Sequence, residues 1–128
     1  MRLTIVLDCR DPKELLPFWA AALGYEPAGS LPSFEVLAGE GPVLILQKVD
    51  ETKAGKNRMH LDLHPRLEDE SVPALVARLE ALGGRRIGEP VTELLGSLGI
   101  WWQTMADPEG NEFDVVADPG HPAPDGVD

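Results

Sequence analysis

Residues 2–8 alternate along an extended chain, setting Leu3, Ile5 and Leu7 on one face and Thr4, Val6 and Asp8 on the other. Asp11 then offers a helix cap, Pro12 suits the first helical position, and Glu14 follows three residues after the cap. Leu15, Leu16, Trp19, Ala22 and Leu23 recur at helical spacing, and Gly24 ends the run. Pro17 lies beyond the first turn and predicts a kink. Turn-rich sequence follows (Pro27, Gly29, Pro32), then strands near 33–38 and 43–49. Residues 50–57 are polar throughout, apart from Ala54 and Gly55, and read as a linker.

The plan then repeats. A strand over 58–64 sends Met59, Leu61 and Leu63 to one face and His60, Asp62 and His64 to the other. Ser71 caps a second helix over about 71–83, with Leu75, Val76, Leu79 and Leu82 inward and Gly83-Gly84 at its end. A loose strand near 85–92 and strands at 99–106 and 112–117 follow. The last two are joined by Asp107-Pro108-Glu109-Gly110-Asn111, which has hairpin chemistry. From Asp118 the tail offers little to bury and is expected to be flexible.

The fold class implied is α+β: one domain over 1–117, with a first module at about 1–49, a second at about 58–117, and a tail at 118–128. In a duplicated unit of this kind, a binding site between the copies is the expected place for chemistry. The 128 residues suffice for a proper core. Acidic residues number 22 against 11 basic, a net charge of -11, which argues against nucleic acid or an anionic membrane as partner. Cys9 is alone, and Asp8 comes too early for a signal peptide, so a reducing, cytoplasmic setting is expected.

Three segments in this order resemble the vicinal oxygen chelate superfamily, which includes glyoxalase I, bleomycin-resistance proteins, fosfomycin-resistance enzymes and extradiol dioxygenases. They are Asp11-Pro12 leading to Phe18-Trp19 and Leu23-Gly24-Tyr25, the strand Met59-His60-Leu61-Asp62-Leu63, and Asp107-Pro108-Glu109-Gly110-Asn111-Glu112-Phe113. The resemblance implies two βαβββ modules, each curling a sheet into a half-barrel with its helix outside and a ligand in the cupped inner face. It also implies a homodimer.

It further implies which positions bear on metal. The first-strand ligand of metal-using members falls on Thr4, a poor donor, and the fifth-strand His on His60. The eighth-strand Glu falls on Asp114, one methylene shorter, and a late fourth-strand ligand falls nearest Gln47. On a straight strand His60 and Asp62 lie about 6–7 Å apart, long for one shared ion unless the strand bends. No cofactor is therefore expected, and a divalent metal on His60 and Asp114 is the alternative.

His60 reads equally as a hydrogen-bonding cup residue and as a ligand or general base. Asp62 either orients it or is solvated. The pocket register turns Ile100, Trp102 and Thr104 inward, so that Trp102 offers a stacking platform. The expected ligand-binding set is Thr4, Gln47, Asp62, Trp102 and Thr104, with His60 as catalytic candidate. Leu61, Leu79 and Phe113 should be buried under the helices. Trp19 reads as core and His64 as a surface residue; Cys9 has no evident base and is a poor nucleophile candidate. Two functions follow. One is a metal-free binder of a small aromatic or amphipathic molecule; the other is a divalent-metal lyase, isomerase or dioxygenase acting on vicinal oxygens.

Overall fold

The computed structural model describes residues 2–57 and 59–125, and its chain divides into two compact units, Met1–Gly55 and Lys56–Asp128. In chain order the first unit contains β1 (Thr4–Cys9), α1 (Pro12–Leu23), β2 (Glu26–Leu31), β3 (Phe34–Ala38) and β4 (Val43–Lys48). The second contains β5 (Asp62–Leu63), α2 (Val72–Ala81), β6 (Arg85–Arg86), α3 (Leu95–Leu98), β7 (Trp101–Ala106) and β8 (Glu112–Ala117). Each unit has one mixed four-stranded sheet, ordered β1-β4-β3-β2 and β5-β8-β7-β6. In each, the first strand runs parallel to the last and the remaining neighbours are antiparallel. The duplication read from the sequence is thus a duplication of topology, and the fold is α+β with no closed barrel.

Both helices start where their caps require. Asp11 Oδ1 accepts from Glu14 N at 3.2 Å, and Ser71 Oγ accepts from Ala74 N at 3.2 Å. Gly24 closes α1 at φ 66°, a left-handed conformation that glycine adopts without penalty. α1 runs unbroken through Pro17, whose ring is exposed. The carbonyl that Pro17 deprives of a donor belongs to Lys13, itself exposed, so water can satisfy it.

The cores lie between helix and sheet. In the first unit Leu15, Phe18 and Trp19 pack with Leu37, Leu44 and Leu46, all essentially without solvent contact. Phe18 and Trp19 meet edge to face, with ring centroids 5.4 Å apart. In the second unit Val72, Leu75, Val76 and Leu79 cover Met105, Phe113 and Val115. Leu79 and Phe113 are buried as expected, whereas Leu61 is only half-buried.

Several elements differ from the sequence reading. β2 was expected to be turn, because Pro27 and Gly29 disfavour strands. It is the outer strand of its sheet, with a register shift between those residues, so the missing proline N–H takes no ladder bond away. The expected 58–64 strand is only Asp62–Leu63. Arg58 lies outside the described residues, Met59 is 85% exposed rather than packed under a helix, and the chain joins the ladder only after a bend at Met59. The loose 85–92 strand is the Arg85–Arg86 pair plus a bridge from Val91 to Trp102, and α3 was not anticipated.

Residues 118–125, expected to be a flexible tail, are tied down. His64 Nδ1 meets Asp118 Oδ1 at 3.0 Å, His121 Nε2 meets the Pro65 carbonyl at 3.1 Å, and the Trp101 indole N–H donates to the Pro122 carbonyl at 2.9 Å. Pro124 is buried. Among the described residues no helix is long and apolar enough to cross a membrane.

Candidate functional site

The β7–β8 hairpin is the frame on which the site is built. Asp107, 1% exposed, accepts from Glu109 N and Asn111 N through Oδ1, each at 2.9 Å, and from Asn111 Nδ2 through Oδ2 at 3.0 Å. Gly110 at φ 91° supplies the turn's left-handed residue. This closure fixes the register in which Thr104 faces Asp114 and Trp102 faces Val116. On the other side of β8, parallel pairing aligns Asp62 with Asp114. Residues paired across a sheet share a face, so Asp62, Asp114 and Thr104 form one row on the face opposite α2, with Trp102 two positions from Thr104.

His60 completes the row from just outside the ladder. Its Nε2 lies 3.0 Å from Asp62 Oδ1 and 3.2 Å from Asp114 Oδ2. The Thr104 hydroxyl donates to Asp114 Oδ1 at 2.7 Å, and Asp114 N donates to the Leu61 carbonyl at 3.0 Å. One oxygen of Asp114 is therefore occupied by Thr104 while the other faces the imidazole. The side chains of His60 and Asp62 are half exposed and that of Asp114 is 15% exposed, so the trio opens to solvent from a partly sheltered base.

His60 lies outside the ladder, and its Nε2 reaches both carboxylates even though a straight strand would space His60 and Asp62 about 6–7 Å apart. Ligand atoms of His60, Asp62 and Asp114 lie within 4.8 Å of one another. A donor set of one imidazole and two carboxylates suits manganese, iron(II), nickel or zinc. Neighbouring ligand atoms around such an ion, with bonds of about 2.1 Å, stand about 3.0–3.4 Å apart. The two contacts that His60 Nε2 makes, at 3.0 and 3.2 Å, match that spacing and the remaining pair lies within 4.8 Å, so the donor set could gather round a divalent cation. Asp62 is the donor that sequence reasoning set aside as too far from His60 on a straight strand. The parallel register that sets Asp62 beside Asp114 has no sequence signature.

Thr4 and Gln47 lie in the first unit, both on the face opposite α1. The register aligns Thr4 with Val43 and Gln47 with Asp8, which separates the two along the sheet by four residues, about 13 Å. The same-face neighbours of Thr4 on β4 are Val43 and Ile45, both apolar. Cys9 is 3% exposed, its Sγ 3.7 Å from the Gln47 carbonyl. His64 is exposed against Asp118, and Trp19 is core.

A family model described as a glyoxalase-like domain matches residues 4–116. A glyoxalase/bleomycin resistance protein/dioxygenase family enzyme from Burkholderia phytofirmans PsJN superposes with a TM-score of 0.74 at 18% identity, covering 89% of this chain and 95% of that one. A glyoxalase-related enzyme from Fulvimarina pelagi does so at 0.70 and 21%, covering 100% and 96%. The fosfomycin resistance protein FosX from Listeria monocytogenes gives 0.74 at 16%, covering 94% of each chain. A search of curated protein sequences finds no match. At these identities the superpositions speak to fold, and the family model, which spans most of the chain, speaks to kinship. The chain belongs to the glyoxalase-like domain family, within the vicinal oxygen chelate superfamily.

Proposed function

We propose that the protein binds a small aromatic or amphipathic molecule on the open face of its second sheet. His60, Asp62 and Asp114 form the polar end of the site, and Trp102 forms its apolar wall. The observation that carries this reading is the single row in which a half-buried indole, a hydroxyl, two carboxylates and an imidazole share one face. An indole beside a few fixed polar groups suits a flat ligand that needs one end desolvated and the other hydrogen-bonded. His60, between two carboxylates and open to water, can move a proton to or from such a ligand.

A second reading is favoured by one specific observation, the convergence of Asp62 with Asp114 on His60. With three donors instead of two, His60, Asp62 and Asp114 would hold a divalent cation, and the protein would then be a lyase, isomerase or dioxygenase. When bound, the ion would act as a Lewis acid toward adjacent substrate oxygens. Trp102 orients the substrate's apolar part, and Thr104 keeps Asp114 aimed at His60. Homodimerisation and a cytoplasmic location belong to the same proposal. They rest on the family likeness and on the lone buried cysteine.

Calorimetric titration with catechol, which is flat and carries vicinal oxygens, tests both readings. Catechol binding without added ion that is weakened by Trp102→Ala supports the first. Binding that requires manganese or zinc, and is lost in Asp62→Asn, supports the second. Catechol affinity unchanged by Trp102→Ala, His60→Ala and Asp62→Asn alike would refute both.

A further inference from the structure

Beside the site the strand pairing stops before it reaches His60. β5 and β8 pair through Asp62 with Asp114 and Leu63 with Val115. The backbone bond nearest His60 runs from Asp114 N to the Leu61 carbonyl at 3.0 Å. A regular parallel ladder that accepts at Leu61 from residue 114 would, one rung on, donate from Leu61 N to the carbonyl of residue 112. That carbonyl belongs to Glu112, and the donor found on it is a side chain, Asn57 Nδ2 at 3.3 Å. The adjacent Lys56 ammonium pairs with the Glu112 carboxylate. Two consecutive residues of the segment read as a linker thus fasten to the first residue of β8, two positions before Asp114.

A side-chain rung and a backbone rung differ in what they do to the neighbouring chain. A bond from Leu61 N would lengthen β5 and draw His60 into a regular strand, about 6–7 Å from Asp62 along one face. Met59 and Leu61 would then alternate with His60 and point under α2. Neither does: Leu61 is only half-buried and Met59 is 85% exposed. His60 Nε2 stands 3.0 Å from Asp62 Oδ1 and 3.2 Å from Asp114 Oδ2. Residues 59–61 therefore depart from the ladder's geometry at the very rung that Asn57 holds.

We propose that Asn57 is a positioning residue for His60. Its amide occupies the Glu112 carbonyl that Leu61 N would otherwise meet. The chain carrying the imidazole then stays off β8, where the ring reaches both carboxylates. The proposal rests on the reading of His60, Asp62 and Asp114 as the polar end of the ligand site. Asn57 need touch no ligand; it acts through Glu112 and through residues 59–61. The amide is the operative group. Lys56, with its side chain 76% exposed, is screened by water and adds little to the fastening.

The test reads the His60 ring in the ligand-free full chain. At about pH 9, above the ordinary imidazole range, a long-range ¹H–¹⁵N spectrum shows which ring nitrogen carries the proton. The unaltered protein should show Nε2–H alone, since that nitrogen faces two carboxylate oxygens. Asn57→Ala should average the two tautomers. Asn57→Gln, which keeps an amide donor, should retain most of the Nε2–H signature, and Lys56→Met, which removes only the exposed ion pair, should leave it unchanged. In calorimetry with catechol, Asn57→Ala should weaken binding about threefold to tenfold, the range of one neutral hydrogen bond, and Asn57→Gln should recover it. Three results would overturn the inference: an unchanged ring spectrum in Asn57→Ala, an equal loss in Asn57→Gln, or an equal loss in Lys56→Met. The ring spectrum needs no ligand. Failure of the unaltered protein to bind catechol would therefore count against the proposed function and leave this test decisive for Asn57.

Discussion

Replacing Asp107 with alanine should cost far more than its place in a turn suggests. The carboxylate accepts two backbone N–H groups at 2.9 Å and one side-chain amide at 3.0 Å, with 1% of the residue exposed. Hydrogen bonds to a charged acceptor contribute about 1.5–3 kcal/mol each, and a buried donor left unpaired costs about 1–3 kcal/mol. The Asn111 N–H is fully buried while Glu109 is partly solvated, so water recovers some of the loss. A net destabilisation of about 3–4 kcal/mol follows for Asp107→Ala. Asp107→Asn keeps an acceptor for the backbone and should lose about half as much. Urea unfolding, followed by fluorescence of Trp101 and Trp102 on the hairpin's first strand, reads the difference. The same hairpin sets Thr104 opposite Asp114, so the alanine variant should also weaken ligand binding under conditions where it stays folded. A loss below about 1 kcal/mol would show that the turn does not hold the β7–β8 register and would remove the frame assigned to the site.

Other consequences are as direct. Gly39→Ala drives a Cβ into the Tyr25 ring, a clash that should cost about 1–3 kcal/mol in urea unfolding unless Tyr25 gives up its 2.9 Å bond to the Pro42 carbonyl. Leu79→Ala, at a position with no exposure beneath the second sheet, should cost about 2–5 kcal/mol by the same measurement. Glu70→Gln should cost under about 1 kcal/mol despite a two-point contact with Arg78 at 2.9 Å. Hydrogen bonding to Glu70 raises the Arg78 guanidinium above its ordinary value, but the Arg78 side chain is 43% exposed and solvent screens the pair. Thr104→Val should leave stability within about 1 kcal/mol while releasing Asp114 Oδ1, and should lower affinity for catechol in calorimetry.

Much of the fold was legible because each signal was local. Asp11, Ser71, Gly24 and the Asp107–Asn111 turn announce their elements through side chains acting on their own backbone, and the structure places all of them as read. β2 was hidden because its proline and glycine contradict strand propensity, and only its outer place in the sheet excuses them. The site was half legible. Alternation correctly put Trp102, Thr104 and Asp114 on one face, since a period of two fixes facing once a strand is located. The spacing argument misled at His60, which was read as part of a regular strand and lies outside the ladder. The row with Asp114 is a product of parallel pairing between residues about fifty apart in sequence. The tail escaped notice because most of its anchors are polar, the Asp118 carboxylate, the His121 ring and the Pro122 carbonyl, and these carry no hydropathy signal.

The central claim is that the His60–Asp62–Asp114 row and Trp102 together form a small-molecule site. The most direct test is a ¹H–¹⁵N titration of the labelled protein with catechol, recorded without and with one equivalent of manganese or zinc. The account predicts saturable shifts of the Trp102 indole and of the His60, Thr104 and Asp114 resonances in at least one condition, with the Trp101 indole unmoved. Perturbation that leaves these residues unchanged in both conditions, or gathers on the opposite face of the sheet, would contradict it.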